Sequence, residues 1–294
     1  MRTVNAIIDQ GVIEADELAT LLADEETSVK VLDGSFALPG AAIPPYQAFL
    51  NKHIPGAQFF DIKEACDKST DLPNMLPAPE MFENYVSSLG INNDDLIVIY
   101  GQTGIVMGPA RVWWMMRVFG HDRVCILNGG LKAWESENLP TENTPPPRPE
   151  KTEFSANFRP ELVVDIARVK DITADAENTV QLLDARPPGR FSGETPEPRP
   201  GMRSGHIPSS RNIPCITLVD QDTGKLKSAD DLSTTLHESG LDYTKPIIAT
   251  CGSGVTACVI ALALFSLGHK DIPVYDGSWS EWGRESSQTE ISTG

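Results

Sequence analysis

The sequence predicts an α/β protein of two tandem domains, each a mostly parallel sheet flanked by helices. Three observations predict it. Short runs rich in Val, Ile and Leu alternate with helical patterns along the chain, as in strand–helix units that build parallel sheets. A set of anchor residues recurs in the same order in both halves. A stretch rich in proline and charge, residues 139–160, separates the halves. The length of 294 residues agrees, at about 150 residues per domain.

In chain order, a helical pattern at 15–22 precedes a strand at 29–32. A helix at 79–89 then leads to a strand at 96–100, and a helix at 109–119 to a strand at 124–127. The second half repeats the series, with strands at 180–183, 247–250 and 274–275 and helices at 228–239 and 255–267. Asp33, His53, Gly101 and Trp134 pair with Asp184, His206, Cys251 and Trp282. The intervals are 20, 48 and 33 residues in the first copy and 22, 45 and 31 in the second. Four anchors in order at near-equal spacing mark an internal duplication. The domains are read as residues 1–138 and 161–294, joined by a linker at 139–160.

Lys and Arg number 24 and Asp and Glu 41, a formal charge of −17. Such a surface repels phosphate backbones, which argues against nucleic acid and anionic membranes as partners. Any anion site must be built locally from arginines or backbone amides. The five cysteines are odd in number, widely spaced and without a C-x-x-C pair. That pattern fits neither a disulfide framework nor a zinc site, and a reducing compartment suits it. No metal or cofactor is expected. The longest apolar run, 255–267, is too short to cross a bilayer. Residues 1–26 are acidic and read as neither a signal nor a transit peptide. The cytoplasm is the expected location, with the mitochondrion open if a transit peptide is missing.

The stretch Ile-Ala-Thr-Cys-Gly-Ser-Gly-Val-Thr-Ala-Cys, residues 248–258, ends an apolar strand at a cysteine and opens an apolar helix through two glycines. Gly252 and Gly254 allow a tight loop with amides turned inward, and the helix adds the positive end of its dipole. Cys251 stands where both converge, so it is the expected nucleophile. Cys258 and Cys125 lie in apolar runs and read as core, and Cys66 and Cys215 have no activating context. A cysteine phosphatase needs an arginine six positions after the thiol, where Ala257 stands. A cysteine protease needs a histidine base that the spacing does not place. Transfer of sulfur through a persulfide is a third option, since the amide cradle would stabilise a persulfide sulfur much as it does a thiolate.

The duplicated halves, "HIPGA" with its second copy "HIPSS", "CGSGVT" and "DGSWSEWG" resemble the tandem-domain rhodanese superfamily over about residues 17–283. Within it, Cys-Gly-Ser-Gly-Val-Thr is similar to the signature of the 3-mercaptopyruvate sulfurtransferases. Thiosulfate sulfurtransferases of the same fold usually carry basic residues where Gly252 and Ser253 stand. The resemblance implies an inactive first domain, with Gly101 in place of the thiol, and a catalytic second one. It implies that sulfur moves from 3-mercaptopyruvate to Cys251 with release of pyruvate, then to a thiol acceptor such as thioredoxin or to cyanide. Gly252, Gly254, Val255 and Thr256 are implied to line the substrate site.

Residues 189–199, GRFSGETPEPR, resemble the family's "GRF…EPR" stretch, whose two arginines bind the substrate carboxylate. Arg190 and Arg199 match them, and a forked guanidinium suits a planar carboxylate. Ser253 matches a serine that would donate to the substrate or to the leaving enolate. His53 matches the histidine of a serine–histidine–aspartate relay proposed for the family. Residues 38–49, where relatives carry the acid, contain none, so His53 is open equally to a loop-building role. His206, His121 and His269 are expected to be structural. Trp113, Trp114, Trp279 and Trp282 are expected to pack the core and the domain interface. Two further functions are open, a thiosulfate:cyanide sulfurtransferase and a persulfide carrier in a sulfur relay. A pure carrier would not need the arginine clamp. The oligomeric state is not indicated.

Overall fold

The computed structural model describes residues 2–24, 26–37, 42–106 and 108–294. Positions 38–41 of the acid-free stretch therefore lie outside the described residues. The chain divides into two compact units. The first comprises Met1–Asp67, Leu76–Arg159 and Val219–Leu226, and the second Lys68–Met75, Pro160–Leu218 and Lys227–Gly294.

The first unit holds strands β1 (Val12–Ile13), β2 (Val29–Asp33), β3 (Gln58–Phe59), β4 (Leu96–Tyr100) and β5 (Val124–Leu127) in the order β1-β5-β4-β2-β3. All pairs are parallel. The second unit holds β6 (Val163–Val164), β7 (Gln181–Asp184), β8 (Arg211–Asn212), β9 (Ile247–Thr250) and β10 (Val274–Tyr275) in the order β6-β10-β9-β7-β8, again all parallel. The two orders are the same once β6 is matched to β1, so the duplication extends to topology. The central strands are Val/Ile/Leu-rich because helices cover both faces of such sheets. The edge strands β1, β3, β6 and β8 have two residues each, too short to leave a periodic signal.

Register explains why the anchors recur. Asp33 pairs with Tyr100 at the ends of β2 and β4, and Asp184 pairs with Thr250 at the ends of β7 and β9. Gly101 and Cys251 each follow directly, at the carboxyl edge of a parallel sheet, where such folds bind ligands. Trp113 and Trp114 lie in helix Pro109–Val118, buried along its whole length, and Trp279 and Trp282 belong to the second core.

Residues 139–159, expected as a linker, run along the first unit. Trp134 Nε1 donates to the Pro140 carbonyl (2.7 Å), Thr152 N to Ser87 O (3.1 Å), and the Phe154 ring is buried. Proline and charge mark this stretch as irregular backbone, but its main chain finds partners and its one deep anchor is aromatic. The other difference concerns two eight-residue segments. Lys68–Met75 belongs to the second unit, and Val219–Leu226, from the other half of the chain, belongs to the first. Among the described residues no helix is long and apolar enough to cross a membrane, and no cluster of potential metal ligands occurs.

Candidate active site

Cys251 directly follows β9 and is buried. The loop Gly252–Ser253–Gly254–Val255–Thr256 follows, and helix Ala257–Ser266 begins two residues later than its apolar pattern predicts. The turn between is tight, with Cys258 N on Val255 O (3.4 Å) and Val259 N on Thr256 O (3.1 Å). Gly254 has φ 72°, a left-handed conformation that favours glycine. Among the described residues, the amides of Gly252, Ser253, Val255 and Thr256 have no hydrogen-bond acceptor. They are the loop donors open to an anion.

The loop is shaped by the "DGSWSEWG" motif, which the sequence marks only as aromatic packing. The Ser278 Oγ accepts from Cys251 N (3.2 Å) and Gly254 N (3.1 Å) and donates to Tyr275 O (2.7 Å). Trp279 N donates to Cys251 O (2.9 Å), and Ser280 donates to Gly252 O through both N (2.8 Å) and Oγ (2.6 Å). Ser278 reaches this position at φ 50°, an uncommon conformation for a non-glycine residue. Its repeat partner is Gly130, φ 61°, where an added Cβ would overlap the carbonyl oxygen of Gly101. The copy without a thiol therefore keeps the backbone and dispenses with the hydroxyl.

The two predicted arginines converge on this loop. Arg190, in the short helix Pro188–Ser192, is held by Glu197 through Nε (3.1 Å) and Nη2. Glu197 is in turn gripped by Arg186 Nη1 (2.8 Å), itself paired with buried Asp184 (Nη2–Oδ2, 2.7 Å) and stacked 4.3 Å from the Trp279 ring centre. The Arg190 tip lies so close to the loop that a Cβ on Gly252 would stand 2.9 Å from Nη2. Arg199 donates to Ser253 Oγ from Nη2 (3.2 Å) and to Ser280 Oγ from Nη1 (3.5 Å). Burial and the neighbouring Arg190 charge lower its pKa, against the pull of Cys251 and Glu197. Two guanidinium groups against one loop make a candidate anion site on an otherwise acidic protein.

Asn74, which sequence reasoning did not single out, also reaches this site. Its Nδ2 lies 3.1 Å from Ser253 Oγ and 3.4 Å from Ser253 O. It arrives on the segment Lys68–Met75 of the second unit. Nothing in its local sequence points to the loop, because the contact spans 179 positions.

His53 belongs to the first unit. It is fully buried, its Nδ1 sits 2.9 Å from Phe49 O, and its ring stacks on Phe49 at 4.5 Å. His206 in the second unit does the same, with Nδ1 2.8 Å from Phe191 O and its ring stacked at 3.8 Å. Each also forms an isolated backbone bridge, His53 with Glu142 and His206 with Ser292. The two differ at Nε2, which in His53 is buried without a hydrogen-bond partner among the described residues and lies 3.9 Å from Glu142 Oε2. Cys215 does have a context the sequence hid. Burial, then the Cys251 charge, pushes its pKa up to about 12, with the Thr256 side chain opposing.

The rhodanese-like domain family matches residues 14–137 and 167–285. The 3-mercaptopyruvate sulfurtransferase of Escherichia coli (strain K12) is 44% identical over 272 residues, 92% of this chain and 94% of its own. A thiosulfate sulfurtransferase of Bos taurus is 42% identical over 270 residues, 90% of this chain and 89% of its own. Among solved structures, the 3-mercaptopyruvate sulfotransferase SseA from Escherichia coli superposes with a TM-score of 0.82 at 41% identity, covering 92% of this chain and 99% of that one.

Proposed function

The chain belongs to the rhodanese family, and on that premise we propose that it transfers sulfur from 3-mercaptopyruvate to a thiol acceptor through a persulfide on Cys251. The observation that carries this reading is the convergence of Arg190 and Arg199 on the loop that begins at Cys251. A mercaptopyruvate carboxylate held by these guanidinium groups keeps the substrate sulfur within reach of the thiol. The Cys251 thiolate attacks that sulfur, the carbon–sulfur pair moves onto the substrate as the enolate of pyruvate, and solvent supplies the proton at the methyl carbon. The loop amides of Gly252, Val255 and Thr256, with the Gly254 turn between them, cradle the persulfide. A dithiol such as reduced thioredoxin then takes the outer sulfur as hydrogen sulfide and leaves as its disulfide, or cyanide takes it as thiocyanate. No proton step is assigned to His53. Five free thiols suit a reducing compartment, and this reading places the enzyme in the cytoplasm.

Steady-state pyruvate release from 3-mercaptopyruvate, run beside thiosulfate with cyanide as acceptor, tests the reading. Mercaptopyruvate is expected to lead in kcat/KM by tenfold or more, about 1.4 kcal/mol of transition-state binding. Cys251→Ser should abolish turnover. Arg190→Ala should raise the mercaptopyruvate KM by roughly ten- to a hundredfold, the worth of one charge-assisted hydrogen bond. A lead for thiosulfate would assign the cations to that dianion instead. No turnover of either would leave the carrier function.

A further inference from the structure

We propose that Asn74 is a positioning residue that fixes the direction of the Ser253 hydroxyl, making it an obligate donor to the carbonyl oxygen of the 2-oxo acid substrate. This rests on the function proposed above. A serine hydroxyl has one proton and two lone pairs. Here Asn74 Nδ2 donates to Ser253 Oγ at 3.1 Å and Arg199 Nη2 donates at 3.2 Å. Both lone pairs are occupied, and neither nitrogen can accept a proton. The amide is held in this sense because Nδ2 also lies 3.4 Å from the Ser253 carbonyl oxygen, a pure acceptor. Turned over, its Oδ1 would face that oxygen. The hydroxyl proton is therefore free only for a third partner, two residues from the nucleophile.

The reaction has a use for such a donor. When the carbon–sulfur bond breaks, negative charge gathers on the carbonyl oxygen of the leaving enolate. A fixed O–H aimed there stabilises the transition state more than the ground state. The proton stays on Ser253, and no base is needed to receive it. The serine thus acts as an oxyanion donor.

Asn74 is itself held in place. It is buried and sits at φ 61°, a left-handed conformation that Asn tolerates better than most residues. Three residues earlier, Asp71 takes two bonds from Arg284 Nη1, both 2.8 Å, and its carbonyl accepts from Nη2 (3.2 Å). Arg284 Nε donates to Ser280 O (2.8 Å), and Ser280 holds Gly252. One arginine thus ties the segment carrying Asn74 to the residue that shapes the loop.

The test is a double-mutant cycle on the full-length protein with 3-mercaptopyruvate, reading kcat and KM separately. Asn74→Asp replaces the donor by an acceptor, so the hydroxyl turns toward the new carboxylate. A tenfold or greater fall in kcat is expected, with KM changed less than threefold. In a Ser253→Ala background the same substitution should cause no further loss. If Asn74→Asp does not fold, as read by its melting temperature, Asn74→Ala goes through the same cycle. An unchanged kcat, or a loss repeated in full without the Ser253 hydroxyl, overturns the proposal. A wild-type protein inert toward mercaptopyruvate would instead defeat the function it rests on.

Discussion

Replacing Gly252 by alanine isolates the contact between the loop and Arg190. Gly252 is not among the glycines with positive φ, so its backbone accepts a side chain without strain. The new Cβ would stand 2.9 Å from Arg190 Nη2, 3.9 Å from Cζ and 4.0 Å from Nη1. Ordinary contact begins near 3.4 Å, so the arginine tip must retreat by about half an ångström. Glu197 holds that tip through Nε and Nη2, so the retreat cannot be taken up freely. A charge-assisted hydrogen bond is worth about 1.5–3 kcal/mol. Losing roughly a third to a half of it, about 1 kcal/mol, raises KM for mercaptopyruvate about fivefold. The fold should not suffer, since Gly→Ala at a compatible site stabilises by about 0.4–1 kcal/mol through the unfolded chain. The assay is pyruvate release across substrate concentrations, with a melting curve on the same sample. An unchanged KM at an unchanged melting temperature would refute the placement of Arg190 as a carboxylate ligand.

Two further outcomes are expected. Ser278→Ala leaves the buried amides of Cys251 and Gly254 without their acceptor. At about 1–3 kcal/mol for an unsatisfied buried group, it should lower the melting temperature and cut kcat at least tenfold; a fully active, equally stable variant would remove Ser278 from the account. Cys215, pushed up to about 12 from an ordinary 9.0, stays a thiol near neutral pH and does not attack a persulfide on Cys251. Cys215→Ser should therefore keep kcat within twofold at pH 7–8. Because the folded pKa is raised, the unfolded chain ionises first, and stability falls as pH rises from about 9 toward 12. Equilibrium unfolding across that range should show a shallower fall for Cys215→Ser, and identical slopes would refute the shift.

The sequence carried the architecture because the repeat carried it. Asp33, Gly101 and Trp134 recur as Asp184, Cys251 and Trp282, and the sheets they punctuate share one strand order. Cys251, Arg190 and Arg199 were legible because their chemistry is local, a thiol in a glycine loop and a short arginine-bearing stretch. Ser278 and Ser280 were half legible. Aligning "NGGLKAW" with "DGSWSEW" places serines opposite Gly130 and Lys132, in the thiol-bearing copy alone. Asn74 and Cys215 were hidden, since each becomes relevant through contacts that only the folded chain makes. His53 was legible as a repeated motif, and its Nδ1 contact and ring stacking recur at His206.

The exchange of eight-residue segments means that neither half of the chain holds the whole of its own unit. A chain cut between Arg159 and Pro160 would give a C-terminal fragment carrying the thiol, both arginines and the serine clamp. It would lack Lys68–Met75, hence Asn74 against Ser253 and Asp71 against Arg284. The N-terminal fragment would lose Val219–Leu226, where Gly224 packs on Gly104 and Lys225 pairs with Glu14. The copy without the thiol is thus a lender of structure. Each half of the chain supplies an eight-residue loop to the unit built mainly from the other.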